Sequence, residues 1–183
     1  MKTNNKNNGR RPMTKIEREA MDTMMQEFKD KLPSNGHSHY KVSGNDLQRT
    51  ILYAIAGITM HRKDVKQTYQ MWIDDTSNPD DWWALSVTLV SFRKVWKRAE
   101  ELLRPRLAEI DGARWYMVTY KDGRESKRNY FNGETADDVR RECRYIRMWD
   151  LKVSGLYRAS WDGKGFTTGE RIPLKKGLPY ILA

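Results

Sequence analysis

Cysteine is almost absent from this sequence: Cys143 is the single cysteine among 183 residues, which excludes an internal disulfide framework. We therefore expect a reducing compartment, the cytoplasm. No apolar run approaches the roughly 18 residues that a membrane-spanning helix needs, and the first residues lack the apolar core of a secretory signal. The sequence also lacks a glycine-rich phosphate loop and a nucleophile elbow. We expect a non-enzymatic protein with no cofactor and no membrane partner.

Acidic residues are the minority, since 24 Asp and Glu stand against 34 Lys and Arg and give a formal net charge of +10. A positive field of this size raises the local concentration of polyanions and speeds their capture. It also excludes mimicry of nucleic acid by an acidic surface. Seven Trp and nine Tyr argue against wholesale disorder. We expect a partner that is nucleic acid or a nucleoprotein, and the alternative is a soluble protein whose charge has no partner.

The apolar residues recur with the period of a helix up to residue 111 and with the period of a strand from residue 113. This change predicts an α+β protein, with an N-terminal helical bundle followed by a small β-β-α-β-(β) domain. A loop is expected between Ser34 and Gly44, where two glycines interrupt the helical pattern. The predicted divisions are a disordered basic arm at 1–13, an α-helical domain at 14–111, a basic domain of β-hairpin, helix and strand at 112–172, and an irregular tail at 173–183.

The strongest predicted helix start lies at Ser77–Asp81, which combines a capping residue, a proline suited to the first turn and two acids. The helix is predicted to reach Leu103, because Pro105 breaks or kinks it. Its apolar residues alternate steps of three and four, as in a coiled-coil seam. This seam predicts either the core of the bundle in a monomer or the interface of a homodimer. The interaction helix is defined by Trp82, Leu85, Leu89, Phe92 and Trp96.

Strands with turn signals between them follow in the C-terminal part. Asp122-Gly123 is typical of a tight turn between strands at 113–120 and 124–131. A third strand is expected at 151–161 with a bulge at Gly155, and Asp162-Gly163 is expected to turn it into a fourth strand ending at Ile172.

The segment 135–149 is predicted to be a helix with an apolar face formed by Ala136, Val139, Cys143 and Ile146. At ~100° per residue, a stripe of arginines lies roughly a quarter-turn from that face. The planar guanidinium fork suits phosphate groups better than the point charge of lysine does. We therefore expect nucleic-acid binding by Arg140, Arg144 and Arg147, with Arg141 further round the helix.

Basic residues also alternate with aromatic residues in the first hairpin. Such an alternation on a sheet can clamp phosphates and stack bases. The same pattern arises when one face of a strand is packed and the other is solvated, so both interpretations stay open. The hairpin candidates for nucleic-acid binding are Arg114, Arg124, Lys127 and Arg128.

A further basic run from Arg93 to Arg106 is expected to be a solvated helix face.

Asp122, Glu125 and Lys127 form a D-x-x-E-x-K pattern, which is typical of metal-dependent nucleases. Those enzymes need their carboxylates inside a cleft, whereas Asp122 is expected at the exposed tip of a turn. His37 and His39 could supply two metal ligands, but a third ligand is missing nearby. A metal-dependent nuclease is therefore the weaker alternative, and we assign no metal site.

Three motifs stand in the C-terminal segment: W-Y-x-V-x-Y-x-D-G from Trp115, A-x-x-V from Ala136, and V-x-x-L-Y-R-A from Val153. Together they resemble the β-hairpin-plus-helix modules of phage and mobile-element proteins, some of which bind DNA. Among these families, the chain is similar to the type II anti-CRISPR proteins that inhibit Cas9. The resemblance implies a phage accessory factor in the bacterial cytoplasm, with DNA, guide RNA or a CRISPR effector such as Cas9 as its partner. It assigns no functional residues.

Overall fold

The structure is a computed structural model, and it describes residues 11–34, 37–76, 87–142 and 151–174. The chain divides into two compact units. The helical unit is Ile16–Asp111, and the sheet unit combines Met1–Lys15 with Gly112–Ala183. The protein is α+β, with its main helices ahead of its main strands, as the sequence predicts.

Five helices are described in and at the start of the helical unit: α1 Lys15–Phe28, α2 Gly44–Thr59, α3 Val65–Thr76, α4 Leu89–Leu103 and α5 Leu107–Asp111. A 3-10 turn at Arg104–Arg106 separates α4 from α5, so the predicted break at Pro105 is confirmed. Two short antiparallel strands, β1 (Pro33–Ser34) and β2 (His37–Lys41), lie where the sequence predicts a loop. Val42 N donates to Leu32 O at 3.0 Å beside this ladder, which closes the connection through backbone hydrogen bonds that side-chain periodicity does not reveal.

The helix α4 begins later than the sequence predicts. Thr88 is its N-cap, because its backbone is extended and its side chain accepts a hydrogen bond from Ser91 N at 3.1 Å. Val87 and Thr88 are not helical, so the prediction of one continuous helix from Trp82 to Leu103 is wrong. Trp82 and Leu85, like the predicted start at 77–81, lie outside the described residues.

The described part of the predicted seam faces the interior of the helical unit. Phe92 is fully buried and Trp96 is 7% exposed, whereas Leu89 is half-buried. The ring of Phe92 lies 5.2 Å from that of Tyr69 on α3. A Cβ on Gly57 of α2 would come within 2.9 Å of the Trp96 ring, so glycine permits the close approach of α2 and α4. The bundle interpretation accounts for these contacts, and Phe92 and Trp96 are not available to a second copy.

The sheet unit contains β3 Trp115–Asp122, β4 Glu125–Asn132, α6 Ala136–Glu142, β5 Lys152–Trp161 and β6 Phe166–Ile172. The strands form one antiparallel sheet in the order β4-β3-β5-β6. The first turn consists of Gly123 and Arg124, one residue later than predicted, because Asp122 pairs with Glu125 across the end of the hairpin. Gly123 takes φ +60°, and a positive φ at the first loop position alone is typical of a type II′ turn.

The bulge predicted at Gly155 is confirmed. Thr119 pairs with Gly155 and Tyr120 pairs with Val153, which leaves Ser154 as the extra residue on β5. Because of this extra residue, Val153 and Leu156 both reach the same core.

The helix α6 packs on one face of the sheet. Val139 is fully buried there with Val118 and Leu156, and Ala136 packs at the edge of the same cluster. We name the face that carries α6 the proximal face and the opposite face the distal face. The predicted apolar side of the arginine helix is thus confirmed for Ala136 and Val139, whereas Cys143 and Ile146 lie outside the described residues.

The predicted basic arm differs from the structure at its last residues. Arg11 is 7% exposed, and its guanidinium carbon lies 5.5 Å from the centroid of the Trp115 ring. Residues 11–13 therefore do not belong to a disordered arm, because a cation–π contact holds Arg11 on the sheet unit. Residues 1–10 lie outside the described residues. Of the predicted tail, Pro173 and Leu174 are described, and Leu174 packs against the core of the sheet unit.

Candidate nucleic-acid interface

Arg140, the first member of the predicted arginine stripe, is buried. Its residue is 4% exposed, one guanidinium nitrogen donates to Asp137, and another donates to Pro173 O at 2.7 Å. The prediction that Arg140 presents its charge to phosphate is wrong in this structure, because the segment after β6 covers that side of α6. The side chain of Arg141, and Arg144 and Arg147 entirely, lie outside the described residues.

Two hairpin candidates already have partners within the chain. Lys127 forms ion pairs with Asp122 and, at 3.9 Å, with Glu125. The hydrogen bond to Asp122 is the main cause that raises the pKa of Lys127 above its ordinary value. Arg114 is exposed and donates to Glu134 O at 3.2 Å. These contacts bind both side chains to the protein itself.

The other two hairpin candidates, Arg124 and Arg128, are exposed, and they differ in position. Arg124 lies in the turn, whereas Arg128 lies on β4 opposite Thr119 of β3. Successive side chains of a strand alternate between the faces, so Arg128 and Thr119 point to the face opposite the buried Val118. Arg128 therefore belongs to the distal face.

Cross-strand register assigns three more cations to the distal face. Lys121 follows Thr119 by two residues on β3, and Lys152 of β5 is directly opposite Lys121. Arg171 of β6 is opposite Tyr157 of β5, and its guanidinium carbon lies 6.0 Å from the centroid of that ring. All of these cationic side chains are exposed, and none has an ion pair with a described residue. The distal cations are Lys121, Arg128, Lys152 and Arg171.

Among the described residues, no carboxylate forms an ion pair with a distal cation, Glu170 beside Arg171 on β6 included. Alternation places Asp122 and Glu125 on the proximal face, where Lys127 bridges them. Asp162 lies in the second turn, and backbone hydrogen bonds from Lys164 and Gly165 lower its pKa. The distal cations are therefore not neutralised by ion pairs with described carboxylates.

Lys121 and Lys152 are a pair of like charges directly opposite each other in the sheet. Directly opposite residues in an antiparallel sheet have Cβ atoms about 5 Å apart, and like charges at such positions are destabilising. On its other side, Lys121 is opposite Ser126 of β4, which carries no charge. A bound anion would relieve the repulsion between the two ammonium groups.

Aromatic rings share the distal face with these cations. Tyr130 stacks on Phe166 with centroids 4.0 Å apart and planes 8° apart, and Phe166 also contacts Trp115 and Trp161 at 5.2 and 4.8 Å. These four rings form a cluster at one end of the face. Tyr157 lies outside the cluster, beside Arg171.

The sequence predictions missed Lys121, Lys152 and Arg171. The alternation of side chains along β3 could have found Lys121. It lies two residues after Thr119, so it points to the face opposite the buried Val118. Lys152 reaches the distal face only because the bulge shifts β5 by one residue. The sequence predicts the bulge at Gly155. Only with the bulge does Lys152 come to lie on the distal face, directly opposite Lys121.

The basic run of the helical unit behaves as a solvated helix face with internal pairing. Arg98 pairs with Glu27 at 2.7 Å and Glu101 at 3.1 Å, and Arg106 pairs with Glu109 at 3.1 Å. Arg104 pairs with Glu100. Half of the run is therefore compensated by carboxylates, and the exposed remainder is Arg93, Lys94 and Lys97.

The nuclease pattern comes together at the hairpin tip but not in a cleft. Asp122, Glu125 and Lys127 meet there, and their side chains are 46%, 78% and 44% exposed. Lys127 occupies the space between the carboxylates that a metal ion would need. Within the described ranges, no group of three or more His, Cys, Asp and Glu side chains is arranged to hold a metal ion.

No family model matches the chain, and no curated protein or solved structure matches it significantly. Among the described residues, no helix is both long enough and apolar enough to cross a membrane.

Proposed function

We propose that this protein is a nucleic-acid-binding factor that holds phosphate groups on the distal face of its sheet. The observation that carries the proposal is the collection of Lys121, Arg128, Lys152 and Arg171 on one face, with no ion pair to a described carboxylate. Exposed cations on one surface release counterions when they bind a polyanion, and this release drives nucleic-acid binding. The formal net charge of +10 adds long-range attraction to the same ligand.

The alternative, that these cations are merely solvated, does not account for their arrangement. Random surface placement would scatter carboxylates among them, as it does along α4, where Arg98 and Arg106 have acidic partners. On the distal face, Lys121 and Lys152 are instead held opposite each other at a cost to the sheet. A phosphate ligand gives this arrangement a role.

The test is fluorescence anisotropy of labelled nucleic acid, titrated with the protein between about 50 and 200 mM salt. We expect the double variant Lys121→Glu, Lys152→Glu to bind on the order of 100-fold more weakly at the lowest salt, with a shallower dependence of log K on log salt. The matched control is Arg158→Glu, because Arg158 is exposed on the same strand as Lys152 but pairs with Tyr116 on the proximal face. The double variant changes the net charge twice as much as Arg158→Glu does. The single variants Lys121→Glu and Lys152→Glu are therefore each compared with this control.

Equal losses from Lys121→Glu, Lys152→Glu and Arg158→Glu would contradict the assigned face, because net charge alone would then explain binding. Absence of binding to every probe at low salt would contradict the proposed function itself.

Inhibition of a CRISPR effector is a finer proposal of the same kind, supported by the resemblance of the sheet unit to phage modules. A protein with a net charge of +10 would contact the guide RNA, the target DNA or an acidic patch of the effector, or act sterically or allosterically. The test is DNA cleavage by a Cas9–guide RNA complex with increasing amounts of this protein. Inhibition that Lys121→Glu and Lys152→Glu abolish would support it, and full cleavage at saturating protein would contradict it.

A further inference from the structure

We propose that the ligand of the distal face is a single-stranded nucleic acid, one of whose bases stacks on Tyr157. This inference rests on the proposed function, since it names the form of nucleic acid that the same face binds. It depends on Tyr157 and Gly155, neither of which adds charge to the phosphate-binding face.

Tyr157 leans over the sheet because residue 155 is glycine. A Cβ at Gly155 would lie 2.6 Å from Cε2 of Tyr157 and 3.0 Å from its hydroxyl oxygen, so any other residue would displace the ring. Gly155 precedes Tyr157 by two residues on β5 and therefore lies on the same, distal face. A ring that leans along a strand leaves its outer side for a ligand, and Tyr157 is accordingly only half-buried.

Tyr157 is also the distal ring without an aromatic partner. Trp115, Tyr130 and Trp161 all contact Phe166, which satisfies their aromatic surfaces within the chain. No ring of a described residue stacks on Tyr157. A nucleobase can supply the missing contact, because every base has a π face that stacks on an aromatic side chain.

The distal cations surround this ring. The guanidinium carbon of Arg171 lies over the ring, 6.0 Å from its centroid, and a hydrogen bond that Arg171 donates to Ser154 O at 3.4 Å holds it there. Gly155, Thr119 and Arg128 form one row across three strands, and Lys152 and Lys121 form the next row. With about 4.8 Å between strands and about 7 Å between rows, these cations lie about 5–10 Å from the leaning ring. A base on Tyr157 would thus have its own phosphates within reach of them.

The width of the sheet favours a single strand over a duplex. Four strands span about 14 Å between the outer strand axes, whereas the major groove of B-form DNA is about 12 Å wide. The bases of a duplex are moreover stacked on each other, so Tyr157 could not reach the face of a base.

The experiment compares three labelled probes in anisotropy titrations: an oligothymidine of about 12 nucleotides, an abasic strand with the same number of phosphates, and a duplex of the same length. We expect the protein to bind oligothymidine at least about fivefold more tightly than the abasic strand. Tyr157→Ala should remove this difference and leave the affinity for the abasic strand unchanged. Tyr157→Phe keeps the ring and should retain the preference for oligothymidine over the abasic strand. It is the control for a substitution at position 157 that preserves stacking.

Gly155→Ala provides a second variant that displaces the ring without deleting it, and it should cause the same selective loss. Equal affinity of the intact protein for oligothymidine and the abasic strand would overturn the inference, as would tighter binding of the duplex. Both results would leave the phosphate-binding function standing. Failure to bind all three probes would instead reject the proposed function, and the inference with it.

Discussion

The two units of the chain carry their positive charge in different ways. In the helical unit, Arg98, Arg104 and Arg106 each have carboxylate partners within the unit. On the distal face of the sheet, Lys121 and Lys152 have a like charge as their neighbour instead. Net charge therefore does not distinguish the two units, whereas the pairing of particular cations does, because the like charges of Lys121 and Lys152 face each other across two strands.

The same difference separates the two faces of the sheet. On the proximal face, Lys127 pairs with Asp122 and Glu125, and beside it α6 holds the buried Arg140 with Asp137. The distal cations have no such partners among the described residues. Arginine-rich sequence is therefore a poor guide to phosphate binding when taken alone, because a guanidinium is equally suited to internal hydrogen bonds.

The largest effect is expected for Arg140, whose role we predict to be structural. Arg140→Ala should lower the free energy of unfolding by about 3 kcal/mol, because it removes a buried aliphatic stem and the charged hydrogen bond to Pro173 O. Urea denaturation measures this, with the exposed Arg158→Ala as a control expected to change stability by less than about 0.5 kcal/mol. Nucleic-acid affinity should not change while Arg140→Ala remains folded. Weaker binding at unchanged stability would mean that Arg140 presents its charge to the ligand, as the arginine stripe predicts.

A smaller effect, on binding, is expected when the distal face is made to resemble α4. Ser126 is exposed on β4 directly opposite Lys121, so Ser126→Glu would supply a carboxylate that can pair with Lys121. We expect binding to weaken on the order of tenfold at low salt while thermal stability stays equal or rises slightly, since a cross-strand ion pair forms. Ser126→Gln is the uncharged control, and anisotropy and thermal melting are the measurements. Unchanged affinity with Ser126→Glu would show that Lys121 does not contact the ligand.

Much of the fold could be predicted because its signals are local. Alternating apolar residues indicate the strands, the Ala136–Val139 spacing indicates α6, and Gly155 indicates the bulge. The first turn was placed one residue early, which moves the pairing by two positions but keeps every side chain on its face.

Three differences from the sequence predictions have different physical causes. The start of α4 is set by a local contact, because Thr88 caps the helix by accepting a hydrogen bond from Ser91 N. Arg140 is buried because the segment at Pro173 hydrogen-bonds to it from 33 residues away. The lysine pair depends on register between β3 and β5, which lie on either side of α6 in the chain. Periodicity within one element does not contain these relations.

The smallest effect is expected for the paired cations of the helical unit. Arg98 lowers the pKa of Glu27 below its ordinary 4.5, mainly through their hydrogen bond. A carboxylate with a lowered folded-state pKa stabilises the fold above pH 4.5, and this contribution is lost as the pH falls through the folded-state value. Arg98→Gln should thus lower the Tm by about 2 °C at pH 7, and the deficit should shrink below pH 4.5. Binding of nucleic acid should be unaffected. The control is Glu27→Gln, which removes the other partner of the pair and should give the same dependence of Tm on pH. A pH-independent deficit would contradict the pairing, and weaker binding would erase the contrast between the helical unit and the distal face.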